Sequence, residues 1–199
     1  MTLLNSPAAE RNKEVIWPHL SRLLKPGSHV LEIASGTGEH SIHFASQRQD
    51  IFWHPSDIDE RYKASVEARR LEALQNTIYP IIHIDVIDHI WALDFQPDVI
   101  YCANMLHISP PETLPGLMRG ASAHLKPGGA LFLYGPFKTQ YGHTAPSNAA
   151  FDESLKARNP SWGIRALDEV VSTALDHGLV HQKTHIMPAN NLSLVFKNI

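Results

Sequence analysis

An apolar run that breaks on a glycine turn constrains this chain most tightly. His29-Val30-Leu31-Glu32-Ile33-Ala34 leads into Ser35-Gly36-Thr37-Gly38, and a helical pattern follows from Glu39 to about Ser46. Strand, glycine turn and helix in that order open a βαβ unit. Short apolar runs then alternate with longer amphipathic ones. Strands are expected at 51–54 (ending near Asp57), 78–86, 98–103 and 130–134, with helices at about 59–74, 111–125 and 167–177. An opening helix is expected from about Ala8 to Leu24, interrupted by Pro18 and ended by Lys25-Pro26-Gly27. Two last strands, 179–186 and 192–197, are joined by residues 187–191. So short a connection requires an antiparallel pair, because a parallel crossover takes about a dozen residues.

The expected fold class is therefore α/β: a doubly wound, seven-stranded, mostly parallel sheet with an antiparallel C-terminal hairpin and helices on both faces. The chain reads as one domain over residues 1–199, with an N-terminal helical segment at 1–28. A loop-rich, substrate-side insertion is expected at 135–166. Residues 135–150 are rich in Gly, Pro, Ser and Asn without a period, the composition of a lid or binding loop.

Composition narrows the partners. The 199 residues carry 17 Lys and Arg against 20 Asp and Glu, a net charge of −3. That balance offers no basic field to a phosphate backbone, so nucleic acid is not expected as a partner. Cys102 is the single cysteine, which excludes an internal disulfide and suits a reducing compartment. No run approaches the ~20 apolar residues of a membrane span, and no basic segment precedes a long apolar one at the N-terminus. The expected location is cytoplasmic, with no membrane partner.

Ligands of open α/β sheets bind beyond the carboxyl ends of the strands, and the polar residues gather there. Glu32 and the glycine turn follow the first strand, Asp57 the second, Asp85 the third, and Asn104-Met105-Leu106-His107 the fourth. Asp57 lies 19 residues after Gly38, close to the ~20-residue spacing of a ribose-binding acid. Asp59 is its rival, as a helix N-cap, and Asp85 is open to a turn role. A dinucleotide fits poorly. Ser41 replaces the third glycine of G-x-G-x-x-G, and Glu39 opens the helix where a pyrophosphate would sit. Acids at 32, 39, 57 and 85 favour a cation carrying ribose hydroxyls. S-adenosyl-L-methionine, with its sulfonium and ammonium, meets that description.

Residues 30–38 (VLEIASGTG) resemble the first motif of class I S-adenosylmethionine-dependent methyltransferases, and Leu125-Lys126-Pro127-Gly128-Gly129 resembles that class's turn before strand five. Further segments resemble the methyltransferase-like family called domain of unknown function 938, or methyltransferase-like 26. They are 6–12 (SPAAERN), 53–57 (WHPSD), 104–108 (NMLHI), 134–137 (YGPF), 143–152 (HTAPSNAAFD) and 188–195 (PANNLSLV). The resemblance spans nearly the whole chain. It implies a Rossmann-like class I methyltransferase fold and a cofactor site of Glu32, Ala34, Gly36, Gly38, Asp57, Asp85 and Asn104. Glu32 would face the methionine ammonium, Gly36 and Gly38 would pass under the ligand, Asp57 would accept from the ribose, Asp85 would stand near adenine, and Asn104 would lie beside the methionine part. Ala34 departs from the class, which usually has glycine there. The Asn/Asp-Pro-Pro-Tyr/Phe signature of amide and base N-methyltransferases is absent after strand four.

The expected activity is methyl transfer to a small-molecule acceptor, and the alternative is a non-catalytic cofactor-binding protein or partner subunit. A nucleotide-dependent oxidoreductase is the rival class. His107 is the first candidate for a base, followed by His143 and Tyr141, each weighed against a structural hydrogen bond. Ser147 and Asn148 could orient an acceptor or satisfy their own loop. Thirteen histidines form no His-Glu-x-x-His pattern or dense ligand cluster, so no metal is expected. The sequence leaves the oligomeric state open.

Overall fold

The computed structural model describes residues 3–73 and 77–199. It is a mixed α/β chain whose seven strands run in the order β3-β2-β1-β4-β5-β9-β8. These are β1 (His29–Ile33), β2 (Phe52–Asp57), β3 (Ile82–His83), β4 (Val99–Ala103), β5 (Ala130–Gly135), β8 (Leu179–Met187) and β9 (Asn191–Asn198). The chain divides into two compact units, one of residues up to Asp85 with Trp91–Cys102, the other of Val86–Ile90 with Ala103–Ile199.

In the first unit β1 pairs in parallel with β2 and with β4, and β2 in parallel with β3. The reversal of strand order at β1 is the feature that opens a crevice at strand carboxyl ends. Helices α1 (Pro7–Leu20), α2 (Glu39–Gln47) and α3 (Glu60–Glu72) belong to this unit. Ser6 caps α1, accepting from the Ala9 N–H, and Pro7 takes the first-turn position where no N–H is missed. Pro18 lies inside α1 without ending it. The core is built on fully buried Ile16, Leu20, Leu31, Phe44, Trp53, Val66 and Tyr101, each large side chain contributing roughly 1.5–3 kcal/mol by its removal from water.

The third strand is shorter than expected. Of residues 78–86 only Ile82 and His83 form a strand, with one further bridge from Trp53 to Ile78. Pro80 lies between them and has no N–H to donate to a ladder. Leu74, expected to end the α3 helix, lies outside the described residues.

In the second unit β9 runs antiparallel to both β5 and β8, the hairpin expected from the short connection. Helices α4 (Thr113–His124), α5 (Pro146–Arg158) and α6 (Leu167–Asp176) belong here. The segment 135–166, expected to be loop-rich, instead contains a two-residue ribbon, β6 (Lys138–Thr139) and β7 (Gly142–His143), and the thirteen-residue α5. Pro146 starts α5 at a position proline favours. Among the described residues no helix is long and apolar enough to cross a membrane, and no group of three or more His, Cys, Asp or Glu could hold a metal ion.

Candidate functional site

The turn after β1 is held in a left-handed conformation at three places: Ala34 (φ 56°), Gly36 (φ 54°) and Gly38 (φ 85°). Glycine adopts this region freely, whereas an L-residue there costs roughly 1–2 kcal/mol. Ala34 therefore carries strain that a glycine would not. The two glycines serve different ends. A Cβ on Gly38 would lie 3.1 Å from Val66 Cγ2 and 3.2 Å from its Cα, so Gly38 lets α3 pack closely against the turn. A Cβ on Gly36 would meet no atom within 4 Å. Gly36 is the open side of the turn, where a ligand can approach the backbone.

Asp57, at the end of β2, is locked to this turn. Its Oδ2 accepts the Gly36 N–H at 2.8 Å and its Oδ1 accepts the Asp59 N–H at 2.9 Å. Asp59 itself caps α3, accepting from the Arg61 N–H, which leaves Asp57 as the acid facing the turn. Burial raises the Asp57 carboxyl above its ordinary value, against the hydrogen bonds that lower it. Ser56 reinforces the same junction, its N–H donating to Ser35 Oγ and its Oγ to the Glu32 carbonyl.

Glu32 is buried, and its Oε2 accepts from Ser41 Oγ and, at 2.7 Å, from Trp53 Nε1. Desolvation pushes its pKa up to about 7; the Ser41 and Trp53 hydrogen bonds oppose the rise and the Asp57 charge adds to it. Two carboxylates with raised pKa at one junction are relieved by a cation or by hydroxyl donors.

The Glu39 carboxylate, expected from the sequence to help line a cation site, is engaged by the chain itself. It accepts the Ser6 N–H at 2.9 Å on both oxygens and the Thr37 hydroxyl at 2.7 Å, with Arg69 at 3.5 Å. Arg69 also donates to the carbonyls of Leu4 and Thr37. Glu39 thus straps residues 4–6 to the glycine turn. Asp85 is half-buried two residues beyond β3. A concavity of about 230 Å³, open to solvent, is lined by Asp57, Asp59, Glu60, Lys63 and Ile81–His83.

Asn104 and all three candidate bases belong to the second unit. Asn104 is left-handed (φ 59°), and its N–H donates to the Tyr134 carbonyl at 2.8 Å. Asn104 Oδ1 and His107 Nδ1 each lie 3.7 Å from where a Gly135 Cβ would be, so both side chains converge on this glycine. His107 is 7% exposed and edge-on to Phe151. Burial, then Arg165 and Arg158, push its pKa down to about 4. His143 Nε2 lies 3.3 Å from Asp152 Oδ2, and its Nδ1 is buried without a partner. Tyr141 is 91% exposed, with nothing enclosing its hydroxyl. Asn148 donates to Thr144 Oγ1 and the Asn190 carbonyl, both at 3.0 Å, and so ties α5 to the β8–β9 turn.

A family model described as a protein of unknown function (DUF938) matches residues 4–198. The chain belongs to the DUF938 family. The fold of this DUF938 protein is that of solved methyltransferases. It is similar to an O-methyltransferase family protein from Burkholderia thailandensis (14% identity, TM-score 0.78, 96% of this chain and 58% of that one). An S-adenosylmethionine-dependent methyltransferase, SibL, gives 18% identity and a TM-score of 0.78 over 96% and 55%. An O-methyltransferase family 2 protein from Planctomyces limnophilus, solved with apigenin, gives 17% and 0.75 over 96% and 60%. The DUF938 chain spans a little over half the length of these proteins, and at such identities the likeness is one of fold.

Residues that sequence reasoning passed over also stand at these positions in the DUF938 chain. Ile58, next to Asp57, is 53% exposed, an apolar group beside a strand-end acid. Gly135 and Asp152 were legible only as parts of a family resemblance, and Arg165 carried no local signal at all.

Proposed function

We propose that this protein binds S-adenosyl-L-methionine through its first unit and methylates a small-molecule acceptor. The carrying observation is the Gly36–Asp57 junction. It holds the open side of the turn and a desolvated carboxylate in fixed relation. The residues suit the cofactor by donor chemistry. Asp57 retains acceptor capacity for ribose hydroxyls, Glu32 supplies the anion for an ammonium, and Ile58 offers an apolar face to adenine. Asp85 would stand near the adenine amino group, and Ala34, Gly36 and Gly38 would form the turn beneath the ligand. Asn104 is assigned to the methionine side.

The bound cofactor supplies a methyl carbon already activated by a positive sulfur. Positioning then dominates, and well-oriented groups can supply roughly 7–11 kcal/mol of barrier reduction. His107, neutral at physiological pH, is the first candidate to take a proton from an acceptor hydroxyl. His143, oriented by Asp152, is the second, and Tyr141 the last.

Calorimetric titration with S-adenosylhomocysteine tests this reading. One site per chain is expected, with affinity at least tenfold weaker in Asp57→Ala and unchanged secondary structure. No binding to the folded wild type overturns it. Binding without turnover across acceptor panels supports the alternative of a non-catalytic cofactor-binding protein.

A further inference from the structure

The last turn of α5 and the loop that follows it bring positive charge to the His107 turn. The Gly163 N–H donates to the His107 carbonyl at 3.1 Å, and an Arg165 Nη2 donates to the Ser109 carbonyl at 2.6 Å, so residues 163 and 165 flank His107 from one side. Arg158 stacks on Trp162, its guanidinium carbon 5.4 Å from the ring centroid. Neither arginine is in an ion pair among the described residues. Arg165 Nε is buried without a partner, a donor left unsatisfied. No hydrogen bond to either ring nitrogen of His107 is found among the described residues either.

The nearby acid does not neutralise these groups. Asp152 is committed to Lys156 Nζ at 2.5 Å, the Ile164 N–H at 2.6 Å and His143 at 3.3 Å. Burial raises its carboxyl, but those partners outweigh burial and hold it below the ordinary range. Counting Lys156, Arg158 and Arg165 against Asp152, these four side chains carry an excess of about two positive charges. Phe151, 38% exposed, stands edge-on to His107, and Trp162 lies under Arg158.

We propose that the second unit recognises its acceptor through a carboxylate, held by Arg165 and Arg158 beside His107, the acceptor being a small planar acid. A guanidinium pairs with a carboxylate through charge-assisted hydrogen bonds, and the part-exposed rings of Phe151 and Trp162 offer faces to a planar body. Burial is the first cause of the low His107 pKa, and a bound anion offsets only the smaller part that Arg165 and Arg158 add to it. This assignment rests on the methyltransferase reading above and names the substrate class of that site.

Benzoate and its neutral isostere benzamide are the probes, titrated into the full chain and followed by the histidine ring resonances. Benzoate is expected to saturate and to shift the His107 ring signals, with benzamide at least tenfold weaker. Arg158→Gln, at an exposed position, and Arg165→Gln should each weaken benzoate fivefold or more and leave benzamide unchanged. If Arg165→Gln fails to fold, Arg158→Gln alone decides. Benzamide binding as well as benzoate, no saturable benzoate binding, or an Arg158→Gln protein with wild-type affinity overturns the assignment. Parallel titration with S-adenosylhomocysteine separates the two claims. Nucleoside binding without benzoate binding sinks only the carboxylate site, whereas benzoate binding without nucleoside binding sinks only the methyltransferase reading.

Discussion

The N–H of Gly36 donates to Oδ2 of Asp57 at 2.8 Å, joining the end of β2 to the open side of the turn after β1. The bond sets the turn and the acid in one fixed relation. The glycine contributes conformation and access, and the carboxylate contributes an acceptor with capacity to spare.

The two glycines of the turn should separate on mutation. Gly38→Ala drives a Cβ against Val66 and is expected to destabilise the fold by about 1–3 kcal/mol. Gly36→Ala meets open space and costs about 1 kcal/mol for its positive φ, but should weaken S-adenosylhomocysteine at least tenfold. Urea unfolding and calorimetry on both variants check this; equal binding losses per unit of lost stability would contradict it.

Ala34→Gly should stabilise the protein. The φ of 56° is strained for alanine, by ~1–2 kcal/mol, and glycine gives back part of that gain as unfolded-state entropy. A net gain of about 0.5–1 kcal/mol is expected in urea unfolding. A loss of stability would mean that the Ala34 methyl makes packing contacts that outweigh its backbone strain.

Much of this arrangement is legible in the sequence, for identifiable reasons. The β1 turn, the end of β2 and the C-terminal hairpin carry strong periodicity and punctuation. The β3 run misleads because IYPIIHIDV is mostly apolar, yet Pro80 interrupts its pairing. Helix α5 escapes notice because its first residues, Pro146-Ser147-Asn148, have loop composition and its apolar face is weak. Asn148 then proves to be a buried tie to the Asn190 carbonyl. Glu39 misleads most. Its place at a helix start is visible, but the backbone of Ser6 that claims its carboxylate lies 33 residues away.

Glu32 gives a pH signature. With a folded pKa of about 7 against an ordinary 4.5, the native state holds a proton that the unfolded chain has lost. Its contribution favours folding below about 4.5 and fades as pH rises through 7. Glu32→Gln can still accept from Ser41 and Trp53, so it should gain stability relative to wild type at pH 8 compared with pH 5. Parallel pH–stability curves for the two proteins would contradict this.

Buried histidines work in the opposite direction. Burial first of all holds His40, His54 and His107 down to about 4, so the unfolded chain takes up protons that the native state refuses between about 6.5 and 4. Their contribution is full above 6.5 and is lost as pH falls through that window. His54 is stacked between Phe95 and Tyr79 at 3.7 and 4.2 Å. His54→Phe keeps the stack and should shallow the loss of stability from pH 6.5 to 4.5. An unchanged slope would remove His54 from the explanation.

The most direct test is a crystal structure with S-adenosylhomocysteine. Its ribose hydroxyls are expected on the Asp57 carboxylate, its amino acid end toward Glu32 and its body over Gly36. A fully occupied ligand with its sugar away from Asp57, or a turn at Gly36 left empty under saturating ligand, would contradict this placement.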